Sequence, residues 1–600
     1  MNPFRVLRKI VVGLLAIVGA LVVVLIVGGL WLGSLGPKPK PVPDKDVVLT
    51  LELGAPIHDR SGGSPLPFGA FGRGATLRDL VAGLEAAAGD NRVKGLVAHV
   101  GSGPLNMAYA QEIRDAVKAF REKGKFAVAF AETFGEAGDG NTHYYLATAF
   151  EEIWLQPSGD VNLVGFSLEQ PYMVDTLNFI GVTAQLDQRQ EYKGLADPFT
   201  KSSMPPPIRE NLQRLVNSWL GQVAQGMAER GKFDAAAARS LIHRGPFLAS
   251  QAQADKLIDK IGYWNDLTKA VNDRAGKDSS WFSLEDYAAN LTAPGDDAPR
   301  IALVYGIGAV QLSTGKGDGL FGPAAMESSA VAKAIRDAVD DPGVRAIIFR
   351  VDSPGGSYVA SDTIWSEVQR ARDLGKPVIV SMGELAASGG YFVSAPATKI
   401  VAQPGTITGS IGVAGGKVVF AGLWNTLRLN WDGVKAGANA DMDSPHRLFS
   451  NAGWARMQEG LDRVYTDFTQ KVAAGRGLPI EKVQEVAKGQ VWTGSDARDR
   501  GLVDELGGYS VAIRLAREAA KIPPERQVSI EEFPPPENPL EKLFEQAMAS
   551  GQMRHVEARR LETMLRLADW LEPVAAVIAP SEGSAVTAPQ LVSPVQSIGN

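Results

Sequence analysis

One serine in this chain stands among residues too small to cover it. In "MGELAASGGYFVSAPA", residues 382–397, Ser388 is flanked by Ala386, Ala387, Gly389 and Gly390, and the strand-like run "KPVIVSM" leads into it. A small-x-Ser-x-Gly pattern after a strand resembles the tight strand-to-helix turn that exposes a nucleophile. The same residues also read as an ordinary helix cap, with the serine hydroxyl accepting from the first turn. A second feature, "RVDSPGGSY" at 350–358, follows another apolar run. Pro354 and Gly355 suit a tight turn. The consecutive glycines Gly355 and Gly356 leave backbone N–H groups approachable, and such groups can stabilise an oxyanion. Together a bare serine and a bare Gly-Gly turn point to acyl transfer; apart, each reads as a cap and a loop.

A serine nucleophile needs a base. The chain has six histidines, and none lies between His243 and His446. His446, in "DSPHRLF", is far along the chain from Ser388, which leaves a Ser-His-Asp triad poorly supplied. The remaining base is a lysine, whose ordinary pKa of about 10.4 must fall through burial before the amine can take a proton.

Such parts need a scaffold, and the chain writes its scaffold twice. "DVVLTLELGAPI" from Asp46 pairs with "RIALVYGIGAVQ" from Arg300, and "RVKGLVAHVGSGPLNMA" from Arg92 with "GVRAIIFRVDSPGGSYVA" from Gly343. "FEEIWLQPSGDVNLVGF" from Phe150 pairs with "TKIVAQPGTITGSIGV" from Thr398, and "ADKLIDKIGYWNDL" from Ala254 with "RDRGLVDELGGYSVAI" from Arg500. The order is kept and the spacing stays near 250 residues, which defines an N-terminal repeat at 46–295 and a C-terminal repeat at 298–525. In the second repeat, "IALVYGIGAV", "AIIFRVD" and "KPVIVSM" read as buried strands. "SSAVAKAIRDAVDDPG" and "YVASDTIWSEVQRARDLG" between them read as helices. That alternation predicts an α/β fold with a mostly parallel sheet in each repeat.

The ends differ from the middle. After Arg5, Arg8 and Lys9 comes "IVVGLLAIVGALVVVLIVGGLWLG", residues 10–33, without a charge. As a helix it would reach about 36 Å against a hydrocarbon core of about 30 Å. It is longer than the apolar part of a cleaved signal peptide, so it predicts a single-pass anchor in the lipid bilayer. Residues 1–9 would be cytoplasmic and the rest outside. Residues 34–45 are a Pro- and Lys-rich linker. The tail, 535–600, reads as a helical extension and then a disordered end.

Composition removes other classes. The chain has no cysteine, which excludes thiol catalysis, disulfides and Cys-bound zinc. A net charge of -6 argues against nucleic acid as a partner. "STGKGDG" is not a nucleotide loop: Val310 stands where the first glycine belongs and Gly317 where a Ser or Thr belongs.

"VDSPGG", "ELAASGGYFVSAPATKIVAQPGTITGSIGV" and the repeat behind an N-terminal anchor closely resemble the signal peptide peptidase A (protease IV) family in its long, tandem-repeat form. The resemblance runs from the apolar segment to about residue 525. It implies a serine-lysine dyad endopeptidase with two domains related to the Clp protease and crotonase, in the bacterial inner membrane with its catalytic domains in the periplasm. It implies signal peptides and similar hydrophobic peptides as substrates, a homotetramer, and no cofactor or metal. In this form the serine belongs to the second repeat and the lysine to the first. Aligning "QPSG" with "QPGT" sets Asn141 opposite Ser388, and aligning 176–198 with 422–444 sets Asn439 opposite Lys193. Each half thus keeps one complementary part. The resemblance makes Ser388 the nucleophile, Lys193 of "QEYKGLADPF" the general base and Ser410 of "TGSIG" the group that orients the amine. Gly389, with Gly355 or Gly356, would form the oxyanion hole. Lys376, Lys399, Lys417 and Lys435 lie outside the equivalent segment. Two other readings remain at this point: a crotonase-like acyl-transfer enzyme, and an inactive membrane-anchored scaffold.

Overall fold

The computed structural model describes residues 40–60, 76–101, 103–136, 138–312 and 325–535. The expected anchor at 10–33, the "STGKGDG" segment and the extension at 536–600 lie outside the described residues. Among those that are described, no helix is long and apolar enough to cross a membrane.

Two sheets follow one another along the chain. In the first repeat the elements used below are β1 (Val47–Glu52), β2 (Val93–His99), α1 (Met107–Glu122), β3 (Phe126–Ala131), α2 (Asn141–Ala147), β4 (Glu152–Leu155), β5 (Thr183–Gln188), α3 (Pro206–Ala228), β6 (Lys260–Ile261) and β7 (Ser280–Ser283). The first sheet has the order β6-β4-β3-β2-β1-β7, and every pair is parallel. In the second repeat they are β8 (Arg300–Ile307), β9 (Val344–Ser353), α4 (Tyr358–Asp373), β10 (Val378–Ala387), α5 (Gly389–Ser394), β11 (Lys399–Ala402), β12 (Ile407–Gly409), β13 (Ala414–Val419), α6 (Asn451–Arg476), β14 (Val491–Thr493), β15 (Glu505–Leu506) and β16 (Ser529–Phe533). The second sheet has the order β14-β12-β10-β9-β8-β16, with β11 beside β10 and β15 beside β11. Its one antiparallel pair is β12–β14.

The sequence accounts for these elements. β9, "VRAIIFRVDS", is buried along nearly its whole length, as a central parallel strand must be with both faces covered. In α4 the buried residues Ala360, Ile364, Val368 and Ala371 recur at helical spacing, and the Ser357 hydroxyl caps its start by accepting from Ala360 N–H. Three limits differ from the sequence reading. The "IALVYGIGAV" run breaks at Gly308, whose N–H donates to Asp352 O at 2.8 Å. The "KPVIVSM" strand runs on to Ala387. The second sheet takes its edge strand from Ser529–Phe533, past residue 525.

The repeats are packed on one another. Ile348, Ile379, Val401 and Tyr509 of the second join Leu49, Leu96 and Ile113 of the first in one apolar cluster. At this junction Arg350 is fully buried and pairs with Asp59 at 3.0 Å and Glu112 at 3.3 Å, both from the first repeat. Its charge is compensated twice, and the two carboxylates have it as their shared cation. A second junction is a ribbon: β13 pairs antiparallel with β5, from Ala414↔Gln188 to Val419↔Thr183. That ribbon sets the register of the segment just after β5, which contains Lys193.

Candidate active site

Ser388 follows β10 and begins α5. It occupies the cap position of that helix, yet its side chain makes no capping hydrogen bond, and its backbone has φ 54° and ψ −116°. A non-glycine residue in the positive-φ region is strained and is held there by its surroundings. The Ser388 N–H donates to Gly409 O at 2.9 Å, which ties the turn to β12. The next residue of that strand's exit, Ser410, also has a positive φ of 51°.

Lys193 comes from the other repeat. Its Nζ lies 3.0 Å from Ser388 Oγ, 2.9 Å from Ser410 O and 3.0 Å from Ser410 Oγ. Two contacts hold its segment against the second repeat: Arg189 N–H donates to Val413 O at 2.8 Å, and Tyr192 N–H donates to Lys488 O at 3.1 Å. Arg189 adds a clasp on α6, donating to Gln458 Oε1 at 2.6 Å and pairing with Asp462. Lys193 has no ion pair among the described residues. Burial lowers its pKa to about 8, because desolvation penalises the ammonium form and no carboxylate offsets it. A neutral amine has two N–H donors and one lone pair. Here the donors fit the two Ser410 oxygens, which leaves the lone pair for the Ser388 O–H.

The Gly-Gly turn lies against the serine. An added Cβ on Gly355 would stand 2.5 Å from Gly389 N and 2.8 Å from Ser388 Cβ. One on Gly389 would stand 3.1 Å from Gly356 N. Gly355 N–H already donates to Ser353 Oγ at 3.1 Å. Gly356 and Gly389 have N–H groups with no protein acceptor among the described residues. Of the two glycines between which the sequence left a choice, Gly356 is thus the one whose N–H is uncommitted among the described residues. All these groups open on one cavity of about 500 Å³. Its walls include Ile208 and Leu212 of α3, Tyr358 of α4, Phe392 of α5, and Val464 and Phe468 of α6.

The residues set opposite these two behave differently. Asn141 is buried, and its amide is fully used: Nδ2 donates to Gly165 O at 2.7 Å and to Asp139 Oδ1 at 2.8 Å, while Oδ1 accepts from Val164 N–H at 3.1 Å and Gly165 N–H at 3.0 Å. Asn439 lies on an exposed turn. His446 stacks on Trp431 at 3.7 Å between ring centroids and accepts from Trp424 Nε1 at 3.2 Å, away from the cavity.

Sequence reasoning did not name Arg189, Tyr358, Phe392 or Phe468. Tyr358 and Phe392 had a signal, since each stands two residues after a Gly-Gly pair. Arg189 and Phe468 had none, because only the folded ribbon brings α6 to the lysine segment.

A model of peptidase family S49 matches residues 119–278 and 370–523. The chain belongs to that family. It is therefore a serine-type peptidase, and it carries the family's domain twice. "Protease 4" of Salmonella typhi is 34% identical over 466 residues, covering 74% of this chain and 72% of its own. "Protease 4" of Haemophilus influenzae is 30% identical, covering 73% and 72%. The chloroplastic serine protease SPPA of Arabidopsis thaliana is 28% identical, covering 83% and 73%. The two S49 segments hold Lys193 in the first and Ser388 and Ser410 in the second. The Gly355–Gly356 turn falls between them.

Proposed function

We propose that this S49 peptidase hydrolyses apolar peptides, signal peptides among them, with Ser388 as nucleophile and Lys193 as general base. The observation that carries this reading is the 3.0 Å contact between Lys193 Nζ and Ser388 Oγ inside the cavity. Neutral Lys193 takes the Ser388 proton as the oxygen attacks a peptide carbonyl. Ser410 holds the amine through both its oxygens. The developing oxyanion lies between Gly356 N–H and Gly389 N–H. The lysinium returns its proton to the leaving amine, which departs as the acyl-enzyme forms. A water, losing its proton to the same lysine, then attacks the acyl carbon; the ester bond to Ser388 breaks as the lysinium returns that proton to Ser388 Oγ, and the carboxylic acid leaves. The aromatic and aliphatic walls favour apolar substrate side chains. Both reacting residues belong to one chain, so a single copy supplies the pair.

The test is covalent labelling. A fluorophosphonate should modify wild-type protein at Ser388, and Ser388→Ala should lose both label and turnover. Label elsewhere, or turnover retained by the alanine variant, would sink the dyad.

We further propose an anchor at residues 10–33, from their apolar, charge-free sequence, with the peptidase domains in the periplasm. Extraction of the protein from bacterial membranes by alkaline carbonate would count against it. A homotetramer is proposed from the resemblance and is supported by the ribbon. β13 of the second repeat pairs with β5 of the first. The corresponding stretches, 167–172 and 429–434, have no strand partner among the described residues and expose Leu168 and Trp431. A second copy placed head to tail would pair them. Light scattering on the solubilised full chain reads the mass, and a monomer would remove this proposal.

A further inference from the structure

The strands that lead into the reacting groups do not keep one register. β9 and β10 pair Val351 with Met382 and then Ser353 with Ala386, so Asp352 alone faces Gly383, Glu384 and Leu385. A bulge of this kind leaves N–H groups without ladder partners. Here a side chain takes them. Glu384 N–H donates to Asp352 Oδ2 at 3.3 Å and Leu385 N–H donates to Asp352 Oδ1 at 3.2 Å. The fit is close, since a Cβ on Gly383 would stand 2.6 Å from Oδ2. The bulge's carbonyls are met from β12 and the turn before it: Thr406 Oγ1 donates to Gly383 O and Thr408 Oγ1 to Ala386 O, each at 2.7 Å.

The carboxylate is half-buried, and among the described residues no cation is bonded to it. Arg350, two residues away, is engaged by Asp59 and Glu112. Desolvation and the nearby Asp59 raise the Asp352 pKa above the usual carboxylate range. The remaining contact comes from the first repeat, where Tyr109 Oη lies 3.3 Å from Asp352 Oδ2 and 3.0 Å from Asp59 Oδ2. A carboxylate partly withdrawn from water beside a second one is costly unless its hydrogen bonds are needed.

The first repeat shows the same place without it. Setting the start of α1 at Met107 on the start of α4 at Tyr358 brings Gly101 to position 352, and Pro104 and Leu105 to the Gly-Gly turn. The chain between β3 and Asn141 there runs from Glu132 to Gly140, longer than the stretch from Gly383 to Ala387, and bonds elsewhere, with Phe134 N–H donating to Asp160 O at 2.9 Å. Carboxylate, Gly-Gly turn and serine are present together in one repeat and absent together in the other.

We propose that Asp352, held by Tyr109 of the first repeat, is a positioning residue: by gathering the bulge N–H groups just before Ser388 while its own backbone leads into the Gly355–Gly356 turn, it fixes the distance between Gly356 N–H and the Ser388–Gly389 pair. This rests on the reading of Ser388 as the nucleophile. The test uses the full chain with an apolar fluorogenic peptide and a fluorophosphonate. Asp352→Asn keeps the shape and one acceptor, but turns an NH₂ toward the other N–H. It should lower kcat about 10- to 100-fold, the scale of a small misplacement of reacting groups. KM should stay within about threefold, because the substrate pocket is untouched. Tyr109→Phe should lower kcat in the same direction by a smaller factor, with its thermal midpoint close to that of wild type. Wild-type kcat in Asp352→Asn would overturn the proposal. So would losses that only track a collapse of the thermal midpoint in both variants. Should Asp352→Asn fail to fold, Tyr109→Phe decides alone: lowered kcat at unchanged KM supports the role, and wild-type kcat ends it. Wild-type protein not labelled at Ser388 would remove the nucleophile reading itself. Labelled wild type with unaffected variants would remove only the positioning role.

Discussion

Lys193 Nζ lies 3.0 Å from Ser388 Oγ although 195 positions separate the two residues in the chain. The contact spans the two repeats and depends on the β5–β13 ribbon, which brings the lysine segment to the serine turn. The same nitrogen reaches both oxygens of Ser410. An ammonium could make all three contacts, but only the neutral amine has a lone pair for the serine proton.

Turnover should therefore rise with pH through about 8, the lowered pKa of Lys193. Stability follows the same group. The amine titrates near 8 when folded and near about 10.4 when unfolded, so the unfolded chain holds the extra proton between those values. Its burial opposes folding most below pH 8, and that opposition fades as pH rises toward 10.4. Lys193→Met should abolish turnover and raise the thermal midpoint near pH 7, with the gain shrinking in more alkaline buffer. A flat pH–rate profile, or a Met variant that is both inactive and much less stable, would contradict this assignment.

Ser388, the proposed nucleophile, sits on a strained backbone, since its φ of 54° suits glycine rather than serine. Ser388→Gly and Ser388→Ala should both lose turnover, but they should separate in stability. Glycine relieves strain of about 1–3 kcal/mol and alanine keeps it. A thermal melt should place the glycine variant above wild type and the alanine variant at or below it. Equal midpoints for the two variants would mean that the turn carries no strain.

Gly355 stands closest to the serine turn. Its φ is +96°, and a Cβ would lie 2.5 Å from Gly389 N and 2.8 Å from Ser388 Cβ. Gly355→Ala should therefore disturb both proposed oxyanion donors and cut kcat by about 10²–10³, the scale of losing one such donor. Steady-state kinetics beside a circular-dichroism spectrum would check it; near-wild-type kcat in the folded variant would show that the turn lies outside the reaction.

How far the sequence led is clear from particular residues. Alternating apolar runs and helical spacing located β9, α4 and β10, because central parallel strands and amphipathic helices write their burial into local pattern. Ser388 and the Gly-Gly turn were visible as small residues in unusual company. Lys193 was not visible from composition, since its segment is polar and half-buried like many others, and only the resemblance and the unequal repeats drew it out. Arg189, Phe468 and the bulge at Gly383–Leu385 were hidden for one reason. Each depends on which residue meets which across β5–β13 or β9–β10, and pairing between distant strands leaves no local signature.

Asn141 closes the corresponding place in the first repeat, and it does so with four hydrogen bonds from one buried amide. A serine there could reach fewer of these partners and would leave the N–H groups of Val164 and Gly165 without their shared acceptor. The Lys193 amine is also committed to the other repeat, and Pro104, which has no N–H, stands in the turn that corresponds to Gly355. Asn141→Ser should therefore create no second active centre: in a Ser388→Ala background it should restore neither turnover nor labelling. It should instead destabilise the fold by about 1–3 kcal/mol, the loss of two or so hydrogen bonds at about 0.5–1.5 kcal/mol each. Denaturation of the single variant measures that loss, and a fluorophosphonate label at residue 141 in the double variant would show that the first repeat needs only a hydroxyl to react.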